Sequence, residues 1–160
     1  MNVSARVATT GDLPELLRMY RLLEAEMIPL EPIWPNTDGL PEPATESLGG
    51  FIAHEDSTVL IGEIDGVPFG FLIGVRQGLI GQTGGHQVGS VRYVFTEADA
   101  REVGIGEAII AAFLEAARAD GISLFDAHVT PGHRLTKNFF ESKGFSARSI
   151  VMHHDDRDDG

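Results

Sequence analysis

Apolar residues recur at helical spacing in two long segments of the chain. In residues 13–27, leucine, tyrosine and methionine return every three or four positions, which predicts an amphipathic helix packed against a core. Thr9 and Asp12, just before it, resemble a capping box at the helix start. The same spacing runs through residues 105–117, and Gly121 stands where a helix-ending glycine belongs. We therefore expect two strong helices, each with one buried face.

Runs rich in β-branched and aromatic residues predict strands elsewhere. Two of these runs flank the dipeptide Asp65-Gly66, which suits a two-residue hairpin turn, so we expect them to pair antiparallel. A later run should place Val91, Tyr93 and Phe95 on one face. The predicted strands are 3–8, 58–64, 67–76, 90–96, 123–129 and 145–152.

The remaining segments carry connections and a shorter helix. Residues 28–50 are rich in proline, glycine and acids, which favours a mobile connection with room for a short helix. Residues 78–89 form a glycine-rich loop, and the turn 130–132 leads into a short helix over 135–140 that Gly144 ends. This order of elements predicts an α+β fold with a mixed sheet.

Length and composition are those of one domain. The 160 residues are 42% hydrophobic, and we expect a single domain over 1–153 followed by an acidic, frayed tail over 154–160. No apolar run approaches the ~20 residues that a membrane span needs, and the N-terminus does not resemble a secretion signal. These features predict a cytoplasmic protein with no membrane partner, and they leave a homodimer open.

The balance of charged residues excludes a further class of binding partner. With 12 basic and 24 acidic residues, the formal net charge of -12 opposes a nucleic-acid backbone, so no nucleic-acid partner is expected. The acidic excess serves solubility or attracts a cationic substrate. The absence of cysteine excludes disulfides and thiolate nucleophiles. The histidines and aspartates of 153–156 lie in the tail, and we expect them to be solvated rather than to bind a metal.

The candidate chemical motif is a glycine loop between a predicted strand and the second strong helix. Residues 101–106 read Arg-Glu-Val-Gly-Ile-Gly, and backbone amides at a helix start bind anions together with the positive end of the helix dipole. Glycine at 104 and 106 removes Cβ atoms that would keep a phosphate away, although glycine can equally ease helix packing. A Walker loop does not fit, because no Gly-Lys-Ser/Thr is present. A three-glycine dinucleotide motif fails as well, because position 109 is Ile109.

These residues resemble the GNAT acetyltransferase family. Arg101, Gly104 and Gly106 match the family pattern Arg/Gln-x-x-Gly-x-Gly/Ala, and residues 139–145, Phe-Phe-Glu-Ser-Lys-Gly-Phe, match a second family motif. The opening strand, the sequence Ala-Thr-Thr-Gly-Asp-Leu and the amphipathic helix are also typical. The resemblance implies a mixed, mostly antiparallel central sheet with helices on both faces. It also implies acetyl-CoA as co-substrate, without a metal.

The resemblance further implies where acetyl-CoA binds. It places the coenzyme where the fourth and fifth strands splay apart, with the pyrophosphate on the amides that follow Arg101. His133 matches a position near the coenzyme where many members have asparagine, and Phe140 stands where the family usually has a tyrosine that protonates the departing thiolate. The implied coenzyme-binding residues are Phe95, Thr96, Arg101, Glu102, Val103, Gly104, Ile105, Gly106, Glu107, His133 and Phe140.

His128 and Tyr93 are the catalytic candidates. Transfer to an amine needs a base, because an amine with a pKa of about 10.4 is neutral only about once in ~10³ molecules at pH 7. His128 matches a place where some family members carry a catalytic glutamate, and Tyr93 is a second candidate. Both residues also have a packing interpretation that stays open, His128 as a strand histidine and Tyr93 as a core aromatic.

The activity implied by the resemblance is transfer of an acetyl or other short acyl group from CoA to a primary amine by direct attack. The acceptor is expected to be a cationic small molecule or a protein amine, since Asp38, Glu42 and Glu46 belong to the segment expected to border its cleft. The alternative is an acyl-CoA-binding sensor or interaction module with weak catalysis, which Phe140 in place of tyrosine favours.

Overall fold

One sheet of five strands runs through the described part of the chain. The computed structural model describes residues 1–30, 39–78, 86–129, 133–154 and 156–157. The strands are β1 (Val3–Val7), β2 (Ser57–Ile64), β3 (Val67–Gly78), β4 (Gln87–Thr96) and β5 (Leu124–Ala127). Their spatial order is β1-β2-β3-β4-β5, and neighbours pair antiparallel except β4 and β5, which are parallel. The predicted α+β fold with a mixed, mostly antiparallel sheet is confirmed.

Helices cover both faces of this sheet. In the described residues they are α1 (Leu13–Met27), α2 (Ala44–Ala53), α3 (Ile105–Ala119) and α4 (Arg134–Ser142). One core cluster joins α1 and α2 to Ile61, Phe71 and Ile73 of the sheet. A second cluster joins α3 and α4 to Leu60 and Leu72. Because successive side chains of a strand point to opposite faces, the two clusters are separate layers on either side of the sheet.

Several local features form as their residue types predict. Asp65 and Gly66 both have positive φ, 50° and 82°, as a two-residue hairpin turn between β2 and β3 requires. Thr9 N donates to Asp12 Oδ2 at 2.7 Å in the predicted capping box. Gly121 follows α3 with φ 85°, the left-handed conformation of a helix-ending glycine.

Glycines of the sheet let α3 approach unusually closely. A Cβ added at Gly62 would lie 2.6 Å from Cγ2 of Ile105, and one at Gly70 would lie 3.0 Å from the same atom. A Cβ at Gly74 would lie 2.2 Å from Cε1 of Phe113. Side chains larger than hydrogen would push α3 outward at all three positions. The glycines therefore fix the position of α3, and with it the loop at its N-terminus.

The prediction that Val91 shares a face with Tyr93 and Phe95 is wrong. Consecutive residues of β3 pair with Tyr93 and Val91, so Arg92 is an extra residue in β4 at this point. Such a bulge shifts the alternation of side chains by one residue. Val91 consequently packs in the cluster under α3, whereas Tyr93 and Phe95 pack on the α1 and α2 side.

The predicted last strand, 145–152, is also wrong. These residues form no strand, and Ile150, Val151 and Met152 are 78%, 89% and 87% exposed. Arg148 holds the segment near β5, since its guanidinium donates to the Asp126 carboxylate at 2.8 and 2.6 Å. High β-propensity describes side chains that fit a half-buried sheet surface, and the apolar residues at 150–152 find none.

Other predicted bounds shift by a few residues. β3 extends to residue 78 and β4 begins at residue 87, so the loop predicted over 78–89 is shorter. The helix α2 is the short helix expected within 28–50, and β5 covers 124–127 rather than 123–129. Residues 31–38, 79–85, the turn 130–132 and tail residues 155 and 158–160 lie outside the described part.

Candidate active site

β4 and β5 separate at one end of their pairing. The parallel pairing ends where Val91 lies opposite Ala127, and His128 N then donates to the carbonyl of Val91 at 3.0 Å. β4 continues as far as Thr96 as a partner of β3, whereas β5 has ended. Beyond Val91, β4 therefore has no β5 partner, and we call this end of the two strands the cleft. Backbone groups on this edge of β4 can pair with an extended ligand.

The glycine loop stands at the N-terminus of α3, close to the end of β4. Ala98–Val103 form a 3-10 turn, Gly104 follows with φ 94°, and α3 begins at Ile105 with no side-chain hydrogen bond at its cap. Glycine adopts this conformation without strain. The first amides of a helix lack partners within the helix and carry the positive end of its dipole. The loop therefore presents an anion-binding surface.

Protein packing does not explain the two loop glycines. A Cβ at Gly104 would have no neighbouring atom within 4 Å, so open space adjoins the loop. A Cβ at Gly106 would lie 3.5 Å from the Phe139 ring, an ordinary contact. Sheet glycines such as Gly74 differ, because a side chain at their positions would collide with α3. Packing therefore does not require glycine at 106, and at 104 the left-handed backbone itself favours glycine. The loop has room for a pyrophosphate, and its binding there stays a prediction.

The side chain of Arg101 holds the turn. Its Nε donates to the carbonyl of Thr96 at 3.0 Å, its guanidinium is paired with the carboxylate of Glu26, and its Cζ lies 6.0 Å from the centroid of the buried Phe95 ring. Direct contact of Arg101 with the coenzyme stays a prediction. Glu26, in the last turn of α1, was not predicted, and no spacing rule could reveal it because it lies 75 residues from Arg101.

The other loop residues differ in exposure. Glu102 is exposed and Val103 half-buried in the turn, whereas Ile105 is fully buried against the sheet. Glu107 is exposed in the first turn of α3 and lies 3.5 Å from Lys143 Nζ. Their backbone amides, rather than their side chains, are what the resemblance assigns to the pyrophosphate.

His133 lies beside the same loop, directly before α4. Its ring is within hydrogen-bonding distance of Thr136, with Nδ1 2.9 Å from Oγ1, and its Nε2 lies 3.9 Å from the Glu26 carboxylate. Burial lowers the pKa of His133; Glu26 opposes this effect and the positive charge of Arg101 adds to it. Burial therefore favours the neutral form of this imidazole.

Tyr93 lies just beyond the point where β4 and β5 separate, facing α1 and α2. Its ring is edge-on to Tyr20 at a centroid distance of 6.3 Å and to Phe51 at 6.5 Å. Tyr20 is buried, and its hydroxyl accepts a hydrogen bond from Leu40 N at 2.8 Å. Tyr93 is half-buried and belongs to this aromatic cluster, and its place beside the acceptor stays a prediction.

His128 is exposed at the mouth of the cleft, directly after β5. Ala127 and Val129 pack in the cluster under α3, so alternation along the chain puts Asp126 and His128 on the opposite face, which also carries Tyr93. The pKa of Asp126 is lowered, mainly by its hydrogen bonds from Arg148 and to a smaller extent by the positive charge of His128. The two catalytic candidates thus share one face of the sheet.

Phe140 is a core residue. It is 3% exposed, and its ring packs against Phe139 and Phe145 at centroid distances of 5.3 and 5.1 Å. Phe140 therefore has a packing role, which it shares with Phe139 and Phe145. Its contact with the coenzyme stays a prediction, and its ring cannot donate a proton.

The acidic residues expected near the acceptor are not all available to it. Glu42 accepts hydrogen bonds from Arg21 at 2.8 and 3.0 Å and from Ala44 N at 2.9 Å, and the pairing with Arg21 is the main cause of its lowered pKa. Glu46 is exposed in the first turn of α2, and Asp38 lies outside the described residues. Glu42 therefore contributes little net negative charge to this region.

The described residues contain neither a metal-binding group nor a membrane-spanning helix. No three histidine, cysteine, aspartate or glutamate side chains there are grouped as a metal ion would require. None of the helices in those ranges is long and apolar enough to cross a membrane.

Comparison with known proteins places these features in a family. The model of the acetyltransferase (GNAT) family matches residues 16–145. AAC(6')-Iy, in complex with the bisubstrate analog CoA-S-monomethyl-acetylneamine, has a TM-score of 0.77 at 17% identity, over 98% of this chain and 99% of that chain. The aminoglycoside 6'-N-acetyltransferase AAC(6')-Ih from Acinetobacter baumannii has a TM-score of 0.76 at 13% identity, over 98% and 99%.

A third similar structure is ribosomal-protein-alanine N-acetyltransferase from Brucella melitensis, with a TM-score of 0.70 at 17% identity over 96% of this chain and 100% of that chain. At such identities the likeness shows the fold. A sequence comparison with curated proteins found no match. The family model, however, covers most of the 160 residues, including the glycine loop and the second motif. The chain therefore belongs to the GNAT acetyltransferase family.

Proposed function

We propose that this protein transfers an acetyl or other short acyl group from CoA to a primary amine. The observation that carries the proposal is the open loop at Gly104, with its left-handed backbone and uncapped helix start, beside the separation of β4 and β5. In this proposal the amides of 102–107 hold the pyrophosphate, and the part of β4 around Phe95 and Thr96, which has no β5 partner, pairs with the pantetheine.

The reaction is direct attack. The neutral amine nitrogen attacks the thioester carbonyl carbon, the C–N bond forms, the C–S bond breaks, and the amine proton passes to a base while the thiolate leaves. His128 is the proposed base, directly or through water, because it stands at the mouth of the cleft on the face of Tyr93. Tyr93 is the second candidate. A thiol with a pKa near 8.5 is a tolerable leaving group even without a general acid. The reaction is therefore compatible with Phe140, which cannot donate a proton.

Replacing His128 tests this role. His128→Ala should lower kcat/KM by about 10²- to 10⁴-fold and remove a pH limb near the imidazole pKa, with little change in acetyl-CoA affinity. His54→Ala is the matched control, since His54 is an exposed histidine at the end of α2. A wild-type rate and pH profile in His128→Ala would assign the base role to Tyr93 or to ordered water instead.

The acceptor is proposed to be an amine, with cationic amines preferred because the chain carries a net charge of -12. A screen should include aminoglycosides, polyamines and peptides with an N-terminal alanine, since the structural neighbours are named for aminoglycoside and protein-alanine acetylation. Release of CoA thiol, read with each amine and without it, tests the proposal. Thiol release that no amine accelerates would refute amine acylation.

The second candidate function is an acyl-CoA sensor or interaction module, which the buried, hydroxyl-free Phe140 favours. Both functions require the coenzyme to stabilise the fold, by about 2.7 kcal/mol at a hundredfold excess over its dissociation constant. A thermal shift without turnover on any amine would support the sensor. The absence of a shift in saturating acetyl-CoA would exclude both.

A further inference from the structure

A partly buried ion pair connects the glycine loop to the opposite layer of the protein. Glu26, at the end of α1, is paired with Arg101, in the middle of the 3-10 turn that precedes Gly104. His133 Nε2 lies 3.9 Å from the same carboxylate oxygen. The side chains of Glu26, Arg101 and His133 are only 24%, 31% and 13% exposed, so water screens them less than it would a surface pair.

Arg101 is anchored at three points. Its guanidinium is bound by Glu26, its Nε donates to the Thr96 carbonyl at 3.0 Å, and it lies over the Phe95 ring at 6.0 Å. Because Glu26 offsets its positive charge, Arg101 does not present an uncompensated cation to a phosphate. Its contacts instead fix the turn that sets the direction of the following amides. Fixing a loop before binding removes an ordering cost from the binding step.

We propose that Glu26 is a positioning residue for the coenzyme, which rests on the proposed function of acyl-CoA binding. It holds Arg101, and through Arg101 it holds the backbone of the 3-10 turn and Gly104 in the arrangement that receives the pyrophosphate. Glu26 touches neither the coenzyme nor the reacting atoms. It also links α1, which leads into the acceptor-side segment 28–50, to the coenzyme loop.

The test compares CoA affinity across a double-mutant cycle. Glu26→Gln should raise the Kd for CoA, measured by isothermal titration calorimetry, about tenfold, which is the lower end for a charged hydrogen bond, and Arg101→Ala should raise it by at least as much. The double variant should bind no more weakly than the Arg101 variant alone, because the change at Arg101 already removes the contact that Glu26 makes. Thermal unfolding of each variant shows whether the fold is intact.

Two controls separate positioning from general damage. Glu24→Gln breaks an ion pair with Arg21 on the same helix, at 2.7 Å and with a carboxylate 27% exposed, and should leave the Kd unchanged. S-acetyl-pantetheine lacks the pyrophosphate, so Glu26→Gln should not change the rate of acyl transfer from it. A structural defect would slow both donors alike.

The outcomes are distinct. If the wild-type protein does not bind CoA, the proposed function fails. If it binds CoA but Glu26→Gln binds equally well, the positioning role is refuted and the function stands. Tighter CoA binding by Glu26→Gln would refute it as well, because Glu26 would then act only as a repelling charge. Additive losses in the double variant would likewise overturn the proposal.

Discussion

Gly104→Ala should separate the two effects of the glycine at the start of α3. Gly104 has φ 94°, a conformation that costs a residue with a side chain about 1–2 kcal/mol, so the variant should lose stability by that amount. Its new Cβ would project into the open space beside the loop, where no protein atom lies within 4 Å. Blocking one amide–phosphate hydrogen bond, worth about 1.5–3 kcal/mol, should raise the Kd for CoA roughly 10- to 150-fold.

Gly121→Ala is the matched control for this prediction. Gly121 has φ 85°, and a Cβ there would also meet nothing within 4 Å, so the strain and the loss of stability should be similar. It lies at the other end of the 15-residue helix α3, about 22 Å away at 1.5 Å per residue. Calorimetry with CoA and denaturant unfolding should therefore give equal losses of stability but a loss of affinity only in Gly104→Ala. An unchanged Kd in Gly104→Ala, or an equal rise in both variants, would refute the assignment of the loop.

Three further predictions concern packing, titration and the missing acid. Gly74→Ala should destabilise the fold by about 1–3 kcal/mol in denaturant unfolding, because its Cβ would lie 2.2 Å from the Phe113 ring, whereas Gly78→Ala, with no neighbour within 4 Å, should change it by less than about 0.5 kcal/mol. Because burial lowers the pKa of His133 below its usual 6.5, its contribution to stability is present above that pH and is lost as the pH falls through the lowered value. Unfolding between pH 7 and 5 should show this loss in the wild type and less of it in His133→Gln, and equal pH dependence would contradict the buried environment. Phe140→Tyr should keep kcat/KM or raise it modestly, since the thiolate leaves without an acid; a large fall would show that the buried ring tolerates no hydroxyl.

Features that depend on neighbouring residues could be predicted from the sequence. The periods of α1 and α3 are properties of each segment alone, and Asp65-Gly66 needs only the φ preference of its own residues to form the hairpin turn. The glycine loop is similar, because a helix start offers its amides wherever the helix begins. Its position between β4 and α3 was therefore predicted correctly.

Features that depend on pairing between distant segments could not be predicted from the sequence. The face of Val91 follows from the extra residue Arg92, which appears only when β4 is aligned with β3. The segment 145–152 has the composition of a strand, but its apolar residues at 150–152 are exposed and pair with no strand of the sheet. The pairing of Glu26 with Arg101 joins residues that lie far apart in the chain. Each of these outcomes is set by tertiary contacts that no local pattern encodes.

Single-turnover transfer from labelled acetyl-CoA, with the enzyme in excess and a panel of amines, tests the central claim most directly. Direct attack predicts that label moves from acetyl-CoA to an amine as an N-acetyl product, without passing through labelled protein. Label that accumulates on the protein before it reaches the amine would contradict direct attack. Bound acetyl-CoA that no amine ever discharges would contradict the proposed acyltransferase activity itself.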